Sequence, residues 1–238
     1  MEKCPDCIVP YVSDSLETVQ FVAEKTDAIA AINAGFFDPT NSKTTSYIIK
    51  DKQLVADPAL NSHLMDNPDL QEYLPTILNR SEFRIQDCML NCGRYIREFD
   101  ITEHNEGTGK CEITHSIQAG PQLVPDLMLE KEGFVVRKNG KVIRQSAGAL
   151  GKYARSAIGI KDNHVLLVAV SNEAAMTLKQ LAELMKNLEV DKALALDGGS
   201  STSLYVNLPG QEKFVLISAK DNAARRVKSI ILIKLPVN

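Results

Sequence analysis

The stretch Asp197-Gly198-Gly199-Ser200-Ser201-Thr202 concentrates the chemistry of this chain. Two glycines let the backbone turn sharply and come close to a ligand, and successive N–H groups with three hydroxyls can cradle the oxygens of a phosphate or a sugar. A carboxylate beside such a cradle needs an explanation. An ionised Asp repels a neighbouring phosphate unless a cation neutralises it, or unless its pKa rises so that it serves as an acid or hydrogen-bond donor. The plain alternative is a hairpin turn in which Asp and Ser side chains bond the local backbone. Arg155, opening a strand after Gly151-Lys152-Tyr153-Ala154, and Arg225-Arg226 near the end of the chain supply the cations. Arginine suits phosphate because its planar fork donates two parallel hydrogen bonds, although any one of these residues taken alone equally reads as a solvated surface charge.

A second polar cluster, Asn33-Ala34-Gly35-Phe36-Phe37-Asp38, follows the apolar run Ala28–Ile32. One phenylalanine can fill the core while Phe37 lines a cleft, or both can be core. Asp38 is either the second carboxylate that glycoside hydrolysis usually demands or a turn residue before Pro39. His63, His104, His115 and His164 share no metal-ligand spacing, and there is no G-x-S-x-G elbow, Walker loop or dinucleotide fingerprint. Nothing here requires a cofactor. Cys4, Cys7, Cys88, Cys92 and Cys111 leave three options open: a structural zinc at Cys4/Cys7/Cys88/Cys92, disulfides with one thiol left over, or reduced thiols.

The elements that must position these groups are mostly strands. Asp14 and Glu17 at capping-box spacing, with Leu16, Val19, Val22 and Ala23 on one face, predict a helix over Asp14–Lys25. Ala28–Ile32 reads as a buried strand and Thr44–Ile49 with Gln53–Ala56 as a hairpin. Residues 57–112, polar and broken by Pro58, Pro68 and Pro75, read as short helices and loops. Asn139-Gly140 marks a hairpin turn, and Ser156–Ile160 and Val165–Val170 are apolar strands. Thr177 and Gln180 cap a helix carrying Leu178, Leu181, Met185 and Leu188. Ala193–Leu196 is then a buried strand that delivers Asp197 at its carboxyl end, where sites form in such layouts. The final strand is Ser229–Ile233. The expected fold is α+β: a single domain over residues 1–238 with a mixed, strand-rich sheet and packed helices, and residues 1–14 as an ordered or loose tail.

Composition narrows the function classes. The chain has 238 residues, 44% of them hydrophobic and 24% charged, enough to bury a core without staples and unlike a disordered segment. Its longest apolar run, Val165–Val170, is far below the ~18 residues of a membrane span. The net charge of −3 argues against a nucleic-acid surface. That total hides an asymmetry, because residues 1–130 hold 10 basic and 21 acidic side chains while residues 131–238 hold 17 and 9. An anion handled by this protein belongs with the second half, unless the two segments pack together and cancel.

Five motifs in order carry a family resemblance: Asn33-Ala34-Gly35-Phe36-Phe37, Gly120-Pro121-Gln122-Leu123-Val124, Arg155-Ser156-Ala157-Ile158-Gly159, Leu196 to Thr202, and Arg225-Arg226-Val227. Over roughly residues 15–235 the chain resembles the phosphodiester glycosidase family. The resemblance implies an exported, lumenal or cell-envelope hydrolase that cleaves a sugar, N-acetylglucosamine-like, from its anomeric phosphodiester, with a phosphorylated carbohydrate or exopolysaccharide as partner. It points to Asn33, Gly35, Arg155, Asp197, Gly198, Gly199, Ser201, Thr202 and Arg225 as the lining of the site. Joined to the chemistry of the residues read above, the expected catalytic residues are Asp197, Arg155, Asn33 and Asp38, and the expected substrate-binding residues are Gly35, Phe37, Gly120, Gly198, Gly199, Ser200, Ser201, Thr202 and Arg225. In this reading Arg155 and Arg225 hold the phosphate, Asp197 acts as acid/base or orients the attacking water, and Asp38 or Asn33 supports the sugar side. Members of the family commonly carry glycine where Ala34 and Ser200 stand, an Asn near Ser229, and Asp-Gly-Arg after the strand that here reads Val168-Ala169-Val170-Ser171-Asn172. That difference supports an alternative: a non-catalytic binding module for a phosphorylated polysaccharide or cell-envelope glycan. No apolar signal segment opens the chain.

Overall fold

Apolar residues at alternate positions build most of this protein, because in a strand they fall on one face. The computed structural model describes residues 7–219 and 223–236. In chain order these form β1 (Ile8–Glu17), α1 (Val19–Lys25), β2 (Ala30–Asn33), the hairpin β3 (Ile48–Lys50) and β4 (Gln53–Ala56), and the short helices α2 (Ser62–Met65) and α3 (Leu74–Leu78). Then come β5 (Ser81–Met89), β6 (Tyr95–Glu103), β7 (Cys111–Gln118), β8 (Gln122–Val124) and the hairpin β9 (Val135–Lys138) and β10 (Lys141–Gln145). The chain continues through β11 (Arg155–Lys161), β12 (His164–Val170), α4 (Leu178–Asn187), β13 (Lys192–Ala195), β14 (Ser203–Val206), β15 (Phe214–Ile217) and β16 (Val227–Ile233).

The α+β expectation holds, with the strands distributed over several sheets. Three are large, ordered β1-β16-β2-β14-β15, β12-β11-β13-β8 and β4-β3-β7-β5-β6, and β9 with β10 is a separate ribbon. All described strand pairs are antiparallel. The large sheets enclose one core. Ile32 and Ile231 from the first, Ile158 and Leu194 from the second, and Ile48, Phe83, Ile85 and Ile117 from the third all meet there. Their alternate neighbours face outward under helices: Ala31, Ile230 and Leu232 pack with Val19, Val22 and Ala23 of α1, and Ala157, Ala193 and Ala195 with Leu178, Leu181 and Met185 of α4. Thr177 and Gln180 form the anticipated capping box of α4.

Two expectations fail, each through contacts distant in sequence. The helix predicted over Asp14–Lys25 begins only at Val19, capped by Thr18, while residues up to Glu17 belong to β1 and pair with β16. A ladder to the far end of the chain overrides a local helix signal there. It also makes residues 8–14 a strand rather than a loose tail, the first six residues lying outside the described ones. Likewise residues 57–112 contain two nine-residue strands, β5 and β6, beyond the short helices expected. β5 is buried from Ser81 to Gln86, so its polar face of Glu82, Arg84 and Gln86 lies inside the protein; Arg84, only 1% exposed, donates to Glu82 at 2.7 Å and to the carbonyls of Glu103, His104 and Glu106. Paired charges disguise a core strand as a surface one.

Of the three options for the cysteines, disulfides with a thiol left over is the one the described residues show, although the close pair Cys88 and Cys92 is not bonded together. Cys88 is bonded to Cys111, its register partner across β5 and β7, while Cys92 is an exposed free thiol and Cys7 is disulfide-bonded. Cys88 is thereby removed from any zinc set with Cys7 and Cys92; Cys4 lies outside the described residues.

Candidate active site

The end of β13 meets the start of β11, the end of β2 and the start of β14, so that two sheets abut at Asp197. The backbone is held there from both sides: Leu196 N–H donates to Ser156 O at 2.8 Å, Asp197 N–H to Ala34 O at 2.9 Å, and Gly199 N–H to Ala154 O at 2.8 Å. Asn33 locks the junction. Its amide donates to Asp197 O at 2.5 Å, and its carbonyl accepts from Ser156 Oγ at 2.7 Å and from the Ser203 N–H at 3.1 Å. The turn then needs its glycines. A Cβ on Gly198 would stand 3.1 Å from Ala154 O, and Gly199 has φ +61°.

Above this turn lies a cleft of about 450 Å³. Its floor is Asp197 to Ser201, Arg155 and Arg225 flank it, and Phe37, Gly120, Phe134 and Tyr153 contribute to its walls. Of the residues expected at the site, the fold brings Asp197, Arg155, Gly198, Gly199, Ser200, Ser201, Arg225, Phe37 and Gly120 to one cleft. It does not bring the remaining four. Asn33 and Thr202 are buried outside the lining, Gly35 is packed where a Cβ would meet Gln118 O at 2.8 Å, and Asp38 accepts from Thr40 N–H and faces His63 Nδ1 at 2.9 Å beside α2. Asp197 is therefore the sole carboxylate among the described residues lining the cleft.

Its electrostatics follow from the enclosure. Burial pushes the Asp197 carboxyl up to about 6, against opposing pulls from the Ser201 hydroxyl, the Arg225 charge and the Gly198 N–H. The carboxyl retains some surface toward the cleft, but protein surrounds it closely enough that lost hydration dominates. Arg225 donates to Ser200 Oγ at 2.6 Å and sits 5.4 Å from the Phe37 ring centre. Arg155 departs from the expected picture of a cation given over to phosphate. Nε donates to Met176 O, and Nη2 to Gly148 O and Gly151 O, so three of its five N–H donors hold the loop rim and the Nη1 pair is left for a ligand.

Sequence reasoning missed the loop 147–153 and the support behind Gly120. Glu132 is buried there, accepting from Ser81 Oγ at 2.9 Å and Gln122 N–H at 2.8 Å, and burial raises its carboxyl. Arg80 stacks 3.8 Å from the Phe134 ring centre behind the aromatic wall. The glycines at 148 and 151 were the available sign of a shaped loop before Arg155. Asn172, just after β12, donates to Ser218 O at 2.5 Å, tying that strand to the end of β15. A larger hollow of about 660 Å³ beside β6 has its charges already engaged, Lys192 with Asp100 at 2.5 Å among them, and lacks a glycine turn.

Comparison with known proteins addresses the fold and the family. No protein of curated function matches the chain in sequence. Among solved structures, the catalytic domain of zebrafish N-acetylglucosamine-1-phosphodiester alpha-N-acetylglucosaminidase, auto-inhibited by its pro-peptide, superposes with a TM-score of 0.66 at 17% identity, covering 98% of this chain and 74% of that one. A hypothetical protein from Synechocystis gives 0.60 at 17% identity, over 95% of this chain and 56% of its own. A putative exported protein from Burkholderia pseudomallei gives 0.58 at 13% identity, over 98% and 72%. These likenesses establish a shared fold. The phosphodiester glycosidase family model matches residues 26–234, nearly all of the chain and all of the cleft, and the protein belongs to that family.

Proposed function

We propose that the protein hydrolyses glycosyl phosphodiesters, releasing an N-acetylglucosamine-like sugar from its anomeric phosphate. One observation carries the reading: a carboxyl group poised near neutrality, Asp197, lies in a cleft with two arginines and a glycine turn. The phosphate is held by Arg225, the Nη1 donors of Arg155 and the Ser200 hydroxyl. Water attacks the anomeric carbon while Asp197 takes its proton, and the bond from that carbon to the phosphate oxygen breaks with its electron pair leaving on phosphate. A phosphate ester is a stable anion, so this departure needs charge stabilisation more than protonation, and one carboxylate suffices. A single attack inverts the anomeric configuration. The name of the zebrafish relative supports the choice of sugar and bond. Export is supported by the Cys88–Cys111 disulfide and by the Burkholderia relative's description.

The test is release of free sugar from a panel of sugar 1-phosphodiesters. Wild type is expected to turn over at least one, Asp197→Asn to lose turnover, and Arg155→Ala to weaken it. The lone cleft carboxylate also fits a non-catalytic module for phosphorylated glycans. Tight binding without turnover selects that reading, and unchanged turnover in both variants refutes the site.

A further inference from the structure

We propose that the tip of the β9–β10 ribbon, residues 137–143, is a docking surface for an anionic lipid bilayer. The ribbon pairs with no other described sheet, and every residue from Arg137 to Ile143 is exposed, so neither face of the tip is covered by the body. Its composition is unusual for such a place. Arg137, Lys138 and Lys141 supply charge, Val142 and Ile143 are 39% and 55% exposed, and the stretch from Gly133 to Lys161 holds no acidic residue.

The register sets the charges against each other. Lys138 and Lys141 are partners across the ladder, where like charges repel, and the irregularity between Val142 and Arg144 leaves Ile143 outside the pairing. Neither lysine makes an ion pair or side-chain hydrogen bond among the described residues. Arg137 is bridged to Glu130 at 3.0 Å, in a pair that is itself exposed.

A surface that is negatively charged and apolar beneath relieves both the repulsion and the apolar exposure. Anionic headgroups take the ammonium groups, while the lysine stems, Val142 and Ile143 lie against the acyl boundary. A phosphorylated glycan would serve the lysines equally well, but it offers hydroxyl groups to two aliphatic side chains. The net charge of −3 does not oppose this, because attraction to headgroups fades within a Debye length and the local cluster decides. The ribbon is rooted in the cleft wall: Val135 packs with Phe134 and Ala149, which line the cleft, and the Ser146 N–H donates to Phe134 O at 2.8 Å. The five residues of β10 span about 17 Å, so a bilayer met by the tip lies about one strand's length from that wall.

The experiment sediments the purified protein with vesicles of phosphatidylcholine, alone or with phosphatidylglycerol added, at about 0.1 M salt, where charges are still felt over about 10 Å. It requires no turnover, so its outcome is independent of the hydrolase reading. Wild type is expected to sediment with the anionic vesicles and not with the neutral ones. Lys138→Ala with Lys141→Ala should lower the partition constant about 25-fold, about fivefold for each lysine. Ile143→Asn should lower it about fivefold. Lys179→Ala, an exposed lysine on α4, should keep the wild-type value. All four positions are exposed, and unchanged circular dichroism checks that each variant is folded. Wild type that stays in solution with anionic vesicles, or a loss in Lys179→Ala as large as in the ribbon variant, overturns the proposal. So does wild-type binding by Ile143→Asn together with displacement by inorganic polyphosphate, which assigns the tip to a polyanionic chain. Self-association that the lysine changes abolish, without vesicle binding, assigns it to a second copy and overturns the proposal as well.

Discussion

If Asp197 is the base, its ionisation sets the acid limb of activity. A carboxyl with a pKa of about 6 is roughly nine-tenths ionised at pH 7 and about one-tenth at pH 5, so kcat/KM should fall about tenfold across that interval. The diester does not titrate there, so the limb belongs to the enzyme. Arg225 supplies the test of cause. Its charge favours the ionised carboxyl, and Arg225→Gln should therefore raise the Asp197 pKa, by about one unit if the pair behaves like other close opposite charges. The limb then moves to higher pH, and at pH 7 the variant keeps about half its ionised base. Weaker phosphate binding raises KM at every pH and leaves the position of the limb alone. The assay is release of free sugar between pH 4 and 8 at constant ionic strength, fitted for kcat/KM with wild type and Arg225→Gln. A wild-type limb near pH 4, or one that stays put or moves down in the variant, would refute the assignment.

Other consequences concern stability. Because the folded-state pKa of Asp197 lies above the usual 3.8, the protein favours its protonated form, and the stability present below about pH 4 is lost as pH rises through 6. Asp197→Asn should thus stabilise the fold by up to about 3 kcal/mol at pH 7, read as a higher Tm whose excess fades toward pH 4, while abolishing turnover. Asn33→Ala removes three buried hydrogen bonds that hold Asp197, Ser156 and Ser203; denaturant titration should show a loss of about 3 kcal/mol, and kcat should fall even though Asn33 lines no part of the cleft. Cys111→Ser together with Cys88→Ser opens a bond between residues 23 positions apart, expected to lower stability by about 3 kcal/mol in denaturant titration with kcat unchanged, since neither residue reaches the cleft.

Local signals determined a good part of this protein. The Thr177–Gln180 capping box, the Asn139-Gly140 hairpin and the apolar runs of β11, β12 and β13 depend on neighbours in sequence, so the chain alone placed them. The same holds for the Asp197–Thr202 turn, whose glycines mark close backbone approach before any partner is known. Tertiary structure decided which polar groups meet. Asn33 and Asp38 are five positions apart, yet one is a buried lock between two sheets and the other pairs with His63 away from the cleft. Arg84 and Glu82 look like surface charges and lie in the core. Arg155 looks like a phosphate ligand and spends two donors on its own loop and a third on Met176 O ahead of α4. The reason is common to all: a charge or amide has a fixed chemistry but no fixed partner, and the partner is chosen by which distant strands the core brings together.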